Sequence, residues 1–289
     1  MTISAKIIAD SLSPDGVRLT TFQLRYHRYV HAELMTHRVF SRNSSSSRAI
    51  PASKMIAWVK EDPAIPIEWG KEQKGMQAKE LLIGPVADEA QREWLVARDQ
   101  MIVQTERLIQ LGVHKQIANR LLEPWHHISV VLTSTQFNNW FALRDHEMAQ
   151  PEIRELAHQM SELYYSNGST GHFANTIRLN PGEWHLPYVS DLEQSMYKLE
   201  VCIKASVARC ARVSHMNHDG TAPDMAKDIE LHDKLAVQVP LHASPAEHQA
   251  TPLSELESEQ RLCGNFVRGW KQYRKTLENE CVRGVNGMA

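Results

Sequence analysis

The stretch Thr36–Ala49, THRVFSRNSSSSRA, constrains this chain more than any other. It follows a run, His27–His37, that holds few helix breakers, and then sets Arg42, Asn43 and the four serines Ser44–Ser47 in its path. Ser and Asn side chains compete for backbone hydrogen bonds, so a helix that enters such a stretch ends there. The expectation is a helix over 27–37 that feeds a loop. Just before it, Val17–Arg25 (VRLTTFQLR) partly alternates and carries β-branched residues, which reads as a strand. The loop offers hydroxyls, backbone amides and the planar guanidinium forks of Arg38, Arg42 and Arg48. Those groups match phosphate oxygens and the edge of a pyrimidine, and an amide-lined turn can form an anion nest. By composition alone a solvated serine loop is the competing reading.

Beyond the loop, residues 60–76 contain Pro63, Pro66, Gly70 and Gly75 and read as irregular. A long helix is expected at about 86–111, with Trp94, Leu95, Met101, Ile102, Leu108 and Ile109 as its apolar stripe and Gly112 at its C′ position. His127–Thr135 reads as a strand, 135–143 and 151–165 as short helices, 167–190 as irregular, and 191–211 and 224–238 as helices. The N-terminal residues read as a strand and a turn. From 250 onward the sequence is polar, and its last several residues are expected to fray.

Charge and cysteine usage narrow the partners. The net charge of the 289 residues is −2, which gives no basis for binding a nucleic-acid polymer. Apolar runs are too short to span a membrane, and no charged n-region precedes an apolar h-region. The four cysteines, Cys202, Cys210, Cys263 and Cys281, form no CxxC pair and suit reduced thiols in a cytoplasmic protein. Fifteen histidines invite a metal reading, but His27 and His31 lack the Glu of an HExxH helix, and no zinc spacing is present, so no metal is expected.

Read in order, His37, Arg38, Ser41, Ser46 and Arg48 fall on the positions of an Arg-His-Arg, two residues, Ser, four residues, Ser, one residue, Arg pattern. That order resembles the signature of the flavin-dependent thymidylate synthases, the ThyX family. GVHKQIANRLLEP (112–124) and FNNWFALRDHEMAQPEI (137–153) resemble further segments of the family, and ARVSH (211–215) and HASPAEH (242–248) resemble its ARVS and HxTPxEH elements. In the usual family chain those last two precede the signature loop; here they follow it, so the chain looks circularly permuted. Surface termini that lie close together make such a rearrangement tolerable.

The resemblance implies an α+β fold, a mainly antiparallel sheet flanked by helices. It also implies a single catalytic domain over 1–289, with motifs at 17–48, 112–153 and 211–248. It implies a thymidylate synthase that transfers a one-carbon unit from methylene-tetrahydrofolate to C5 of dUMP. Reduced FAD would donate the hydride and NADPH would re-reduce the flavin, in a homotetramer. By carry-over, Glu33, Ser44, Ser45, Ser46, Ser47, Arg48 and Arg120 would bind the nucleotide. Arg144 would sit on the uracil edge and favour the ionised ring. His37, Arg38, Asn139, Ser214, His242, Ser244 and Glu247 would surround the flavin. No enzyme cysteine is needed, and Cys202 and Cys210, in an expected helix, read as core.

The sequence departs from the pattern at Thr36 (usually Arg), Glu33 (usually Gln) and Ser44 (usually Glu). A smaller Ser44 would open space beside the pyrimidine. A pyrimidine nucleotide C5-hydroxymethylase on the same scaffold is therefore the second reading, and a non-catalytic nucleotide- or RNA-binding protein the third.

Overall fold

The computed structural model describes residues 3–166, 176–216, 220–237, 241–254, 257 and 260–280. Its elements, in chain order, are β1 (Ser4–Leu12), β2 (Arg18–His27), α1 (His31–Met35), β3 (Ser41–Ser44), α2 (Ala52–Glu61), α3 (Pro85–Gln110), α4 (Lys115–Ala118), β4 (His127–Ser134), α5 (Asn138–Arg144), α6 (Pro151–Ser166), β5 (Ile177–Arg178), α7 (Asp191–Met196), α8 (Leu199–Arg212), α9 (Met225–Val237), β6 (Ala250–Pro252) and β7 (Trp270–Gln272).

Five strands form one sheet in the order β3-β4-β2-β1-β5. All pairings are antiparallel except β1 with β5. This is the α+β architecture expected, and β6 and β7 add a separate two-stranded ribbon. Alternation along β2 and β4 sorts the side chains onto two faces. Phe22, Leu24 and Tyr26 of β2 and Ile128, Val130 and Leu132 of β4 face α5 and α6, where they pack with Phe137, Trp140, Ile153, Leu156 and Met160. Each fully buried side chain of this size contributes about 1.5–3 kcal/mol.

The opposite face is partly polar. Val131 packs there with Tyr188, Cys210 and Val213 around α8. Beside them runs a buried chain of hydrogen bonds: Ser11 Oγ to His185 Nδ1 at 2.8 Å, His185 Nε2 to Thr21 Oγ1 at 2.7 Å, Thr21 to Thr133 at 2.7 Å, and Thr133 to His248 Nδ1 at 2.8 Å. Burial holds His185 down at about 4 and His248 at about 3, so both rings are neutral near pH 7.

Several expectations need correction. The helix over 27–37 is much shorter, because β2 runs on to His27, which pairs with His127. A 3-10 turn then covers Arg28–Val30, and α1 has five residues. The serine run does not begin as a loop: Ser44 closes β3, drawn into register opposite Val130. The helix over 191–211 is two helices, separated where Tyr197 and Lys198 turn extended. Helix α2 had no counterpart in the sequence reading. The segment after 250 is less open than its composition suggests: Trp270 is fully buried with Leu19 and Phe266. The expected fraying of the last residues, and Cys281, lie outside the described residues.

The long helix is α3 as expected, and Gly112 follows it at φ +82, the left-handed conformation that makes Gly favourable there. Among the described residues no helix is long and apolar enough to cross a membrane, and no group of three His, Cys, Asp or Glu side chains is placed to hold a metal ion.

Candidate functional site

β3 is an edge strand, and most of the expected site residues lie on it or around its two ends. Ser41, Arg42, Asn43 and Ser44 pair with Thr133, Leu132, Val131 and Val130. Ser45 prolongs the ladder: its N–H donates to Ser129 O at 2.9 Å, and Ser129 N–H donates to Ser45 Oγ at 3.2 Å. The strand forms because β4 offers an edge of backbone groups that must be paired, not because SRNS favours extension.

Before the strand, Arg144 at the end of α5 meets α1. Its Nη1 lies 2.7 Å from Glu33 Oε2, its Nε donates to His37 Nε2 at 3.3 Å, and its Nη2 lies 3.4 Å from Thr36 Oγ1. His37 is buried, with its ring edge-to-face to Trp140 at 4.9 Å. Burial first, then the Arg144 and Arg42 cations, hold its pKa below the usual value. A neutral ring leaves Nε2 free to accept from Arg144. Arg42 Nη1 donates to the carbonyls of Met35 and His37 at 3.0 and 3.1 Å and so ties β3 to the end of α1.

After the strand, Ser47 is buried and its hydroxyl donates to Glu123 Oε1 at 2.7 Å. The same oxygen takes Arg120 Nη1 at 2.7 Å and has Arg28 Nη2 at 3.6 Å. Asn119 Nδ2 donates to the carbonyls of Ser47 and Ile50 at 2.8 and 3.0 Å, which pins the turn.

On the polar face of the sheet, Ser244 donates to Asn43 Oδ1 at 2.9 Å, and Asn43 Nδ2 donates to Cys210 O at 2.8 Å. Gln272 Nε2 reaches Ser41 Oγ at 3.1 Å. Glu247 is half-buried and ion-paired with Arg274; burial raises its pKa and Arg274 pulls the other way. Ser214 sits just past α8, where its Oγ accepts from Met216 N–H at 3.1 Å.

The remaining residues of the expected set are unengaged. The side chains of Arg38, Ser44, Ser46, Arg48, Asn139 and His242 make no hydrogen bond or ion pair with the described residues, and all but the half-buried Ser44 are exposed. Two unpaired guanidiniums therefore bracket β3, one on either side, next to free hydroxyls. Each guanidinium by itself suits an anion with several oxygens.

Sequence reasoning missed Glu123 and Arg274. Glu123 had a local signal, the three-residue spacing from Arg120. Arg274 had none, since its partner Glu247 lies on a different element.

Residues 17–166 match the sequence profile of a family described as thymidylate synthase complementing protein. Solved structures with a likeness to the chain include the UMP/dUMP methylase PolB from Streptomyces cacaoi bound with 5-Br UMP. It is 19% identical, with 57% of this chain and 89% of that chain covered at a TM-score of 0.46. The same methylase bound with 5-Br dUMP is 16% identical, covering 57% and 90% at a TM-score of 0.46. No curated protein matches the chain.

Proposed function

The chain belongs to the thymidylate synthase complementing protein family, and on that premise we propose that it is a flavin-dependent thymidylate synthase that modifies C5 of dUMP. The observation that carries the reading is the pairing of two states of arginine around β3: Arg38 and Arg48 unengaged, Arg144 clamped.

In this reading Arg48, with the hydroxyls of the serine turn, holds the nucleotide, and Arg120 adds a second cation above Glu123. Arg144 lies along the uracil carbonyl edge. Its position is set beforehand by Glu33 and neutral His37, so it stabilises charge on the ionised ring without reorganising. Methylene-tetrahydrofolate supplies the one-carbon unit and reduced FAD, when bound, supplies the hydride. The donor chemistry fits a flavin: Asn139 offers an amide to the ring edge, Arg38 offers charge to a phosphate, and both are unengaged. His37, Ser214, His242, Ser244 and Glu247 complete that side. NADPH as reductant, a homotetramer and a cytoplasmic setting belong to the same reading.

Three of the cysteines support chemistry without a thiol nucleophile. Cys202, Cys210 and Cys263 are buried, and burial raises all three thiols above their usual pKa. A thiol kept protonated is a poor nucleophile.

The permuted chain order is also supported. The 242–248 segment ends against β3, and the ribbon that follows it comes to rest at the start of β2, where Trp270 Nε1 donates to Val17 O at 3.1 Å.

The test is a mass spectrum of the nucleotide after incubation with dUMP, methylene-tetrahydrofolate, FAD and NADPH. A methylated product is expected. A hydroxymethylated product would replace the synthase by the hydroxymethylase. Unchanged nucleotide from a protein that never takes up FAD would overturn both enzyme readings.

A further inference from the structure

A cleft of about 760 Å³ opens at the end of the sheet where β2 begins and β4 ends. Its volume lies within the order of 300–1,000 Å³ usual for small-molecule sites. One wall comes from Val17, Gln136, Phe137, Asn138 and Tyr165, all inside the family-matched span; the other is Val267 and Arg268, far outside it.

The second wall is held in place. Val267 N–H donates to Thr135 Oγ1 at 3.2 Å. Gly269 sits at φ +78, and a Cβ there would meet Val17 Cγ2 at 3.1 Å. Trp270 is buried beneath and bonds to Val17 O. A loop tied on both sides of Arg268 presents that guanidinium to the cleft.

The lining is chemically uneven. Tyr165 is 53% exposed, and its ring stands perpendicular to that of Tyr164, with centroids 5.2 Å apart. Gln136 and Asn138 expose side-chain amides, and neither those amides nor Arg268 bonds to any described residue. At the floor, Arg18 is already neutralised by Asp10 at 2.7 Å and lies 3.9 Å from the Tyr164 ring. Among the described residues that line the cleft, Arg268 thus carries the one uncompensated charge.

We propose that this cleft is a ligand subsite for a planar heteroaromatic ring that carries an anionic group. The ring stacks on Tyr165, the amides of Gln136 and Asn138 take its polar edge, and Arg268 takes the anion. Aromatic faces bind any flat base or pterin-like ring, while a guanidinium fork selects phosphate or carboxylate. Two sources share this chemistry, the adenosine end of a phosphorylated dinucleotide and a pterin glutamate. The cleft owes its second wall to the segment after 260, and its assignment is independent of the nucleotide site on β3.

The test is isothermal titration of the full chain with adenosine 2′,5′-bisphosphate and, separately, with folic acid. Binding of either is expected, weakened roughly tenfold or more by Arg268→Glu and by Tyr165→Ala. Which probe binds assigns the source. Silence from both probes, or binding that Arg268→Glu leaves unchanged, overturns the proposal. A parallel titration with dUMP keeps the two readings apart: Arg268→Glu leaves dUMP binding intact. If dUMP fails to bind while a probe binds through Arg268, the nucleotide reading falls and the subsite stands.

Discussion

On one face of the five-stranded sheet, Phe22, Leu24 and Tyr26 meet α5 and α6 through apolar contacts alone. On the other face their neighbours Thr21 and Thr133 enter a hydrogen-bonded chain that runs from Ser11 through His185 to His248. The apolar face is closed by helices that follow β4 directly in sequence. The polar face is closed by α8 and by the 242–252 segment, which bring Ser214, Ser244 and Glu247. The face that carries candidate chemistry is thus the one assembled from distant parts of the chain. Apolar packing tolerates change in proportion to the volume lost. A buried polar chain fails when one partner goes missing, because the other is left unsatisfied.

The two faces should break differently. Phe22→Ala on the apolar face should cost about 3–5 kcal/mol in urea unfolding, the usual range for a buried aromatic. The second effect is acid lability, and it belongs to the polar face. His185 and His248 are neutral in the fold, with pKa values of about 4 and about 3 against 6.5 when unfolded. Their contribution is complete above the unfolded value and is lost as pH falls from there towards 4. For His185 alone the loss approaches about 3 kcal/mol. Unfolding followed between about pH 7.5 and 4.5 should show it, and His185→Phe should flatten the slope whatever it does to the plateau.

A smaller effect, about 1–3 kcal/mol, is expected for Thr133→Val, which keeps the shape but leaves Thr21 and His248 short of a partner. A neutral result would mean that the chain is dispensable and that the two faces are alike. Ser244→Ala should cost least, about 1 kcal/mol, since it removes one hydrogen bond to Asn43 at a half-buried position.

Much of the apolar face was legible in the sequence. The alternation in VRLTTFQLR marks β2, and a helix is expected over 151–165, where α6 lies. What stayed hidden was held by non-local partners. β3 has no strand propensity of its own; it extends because β4 lies beside it, and its polar residues Ser41 and Asn43 are buried only because Gln272 and Ser244 come to them. The site was legible as a set of residue types in order. The sequence did not reveal how those residues divide: Arg120 and Arg144 are engaged by Glu123 and Glu33, while Arg38 and Arg48 are not. That division depends on where α1, α5 and the 119–125 turn meet, which no local window contains.

The most direct measurement is a dUMP titration of the full chain beside Arg48→Ala. The account predicts that the wild type binds dUMP and that the variant loses tenfold or more, as removal of a charge-assisted contact of about 1.5–3 kcal/mol requires. Equal affinity in the two proteins would contradict the assignment of the β3 turn as the nucleotide cradle.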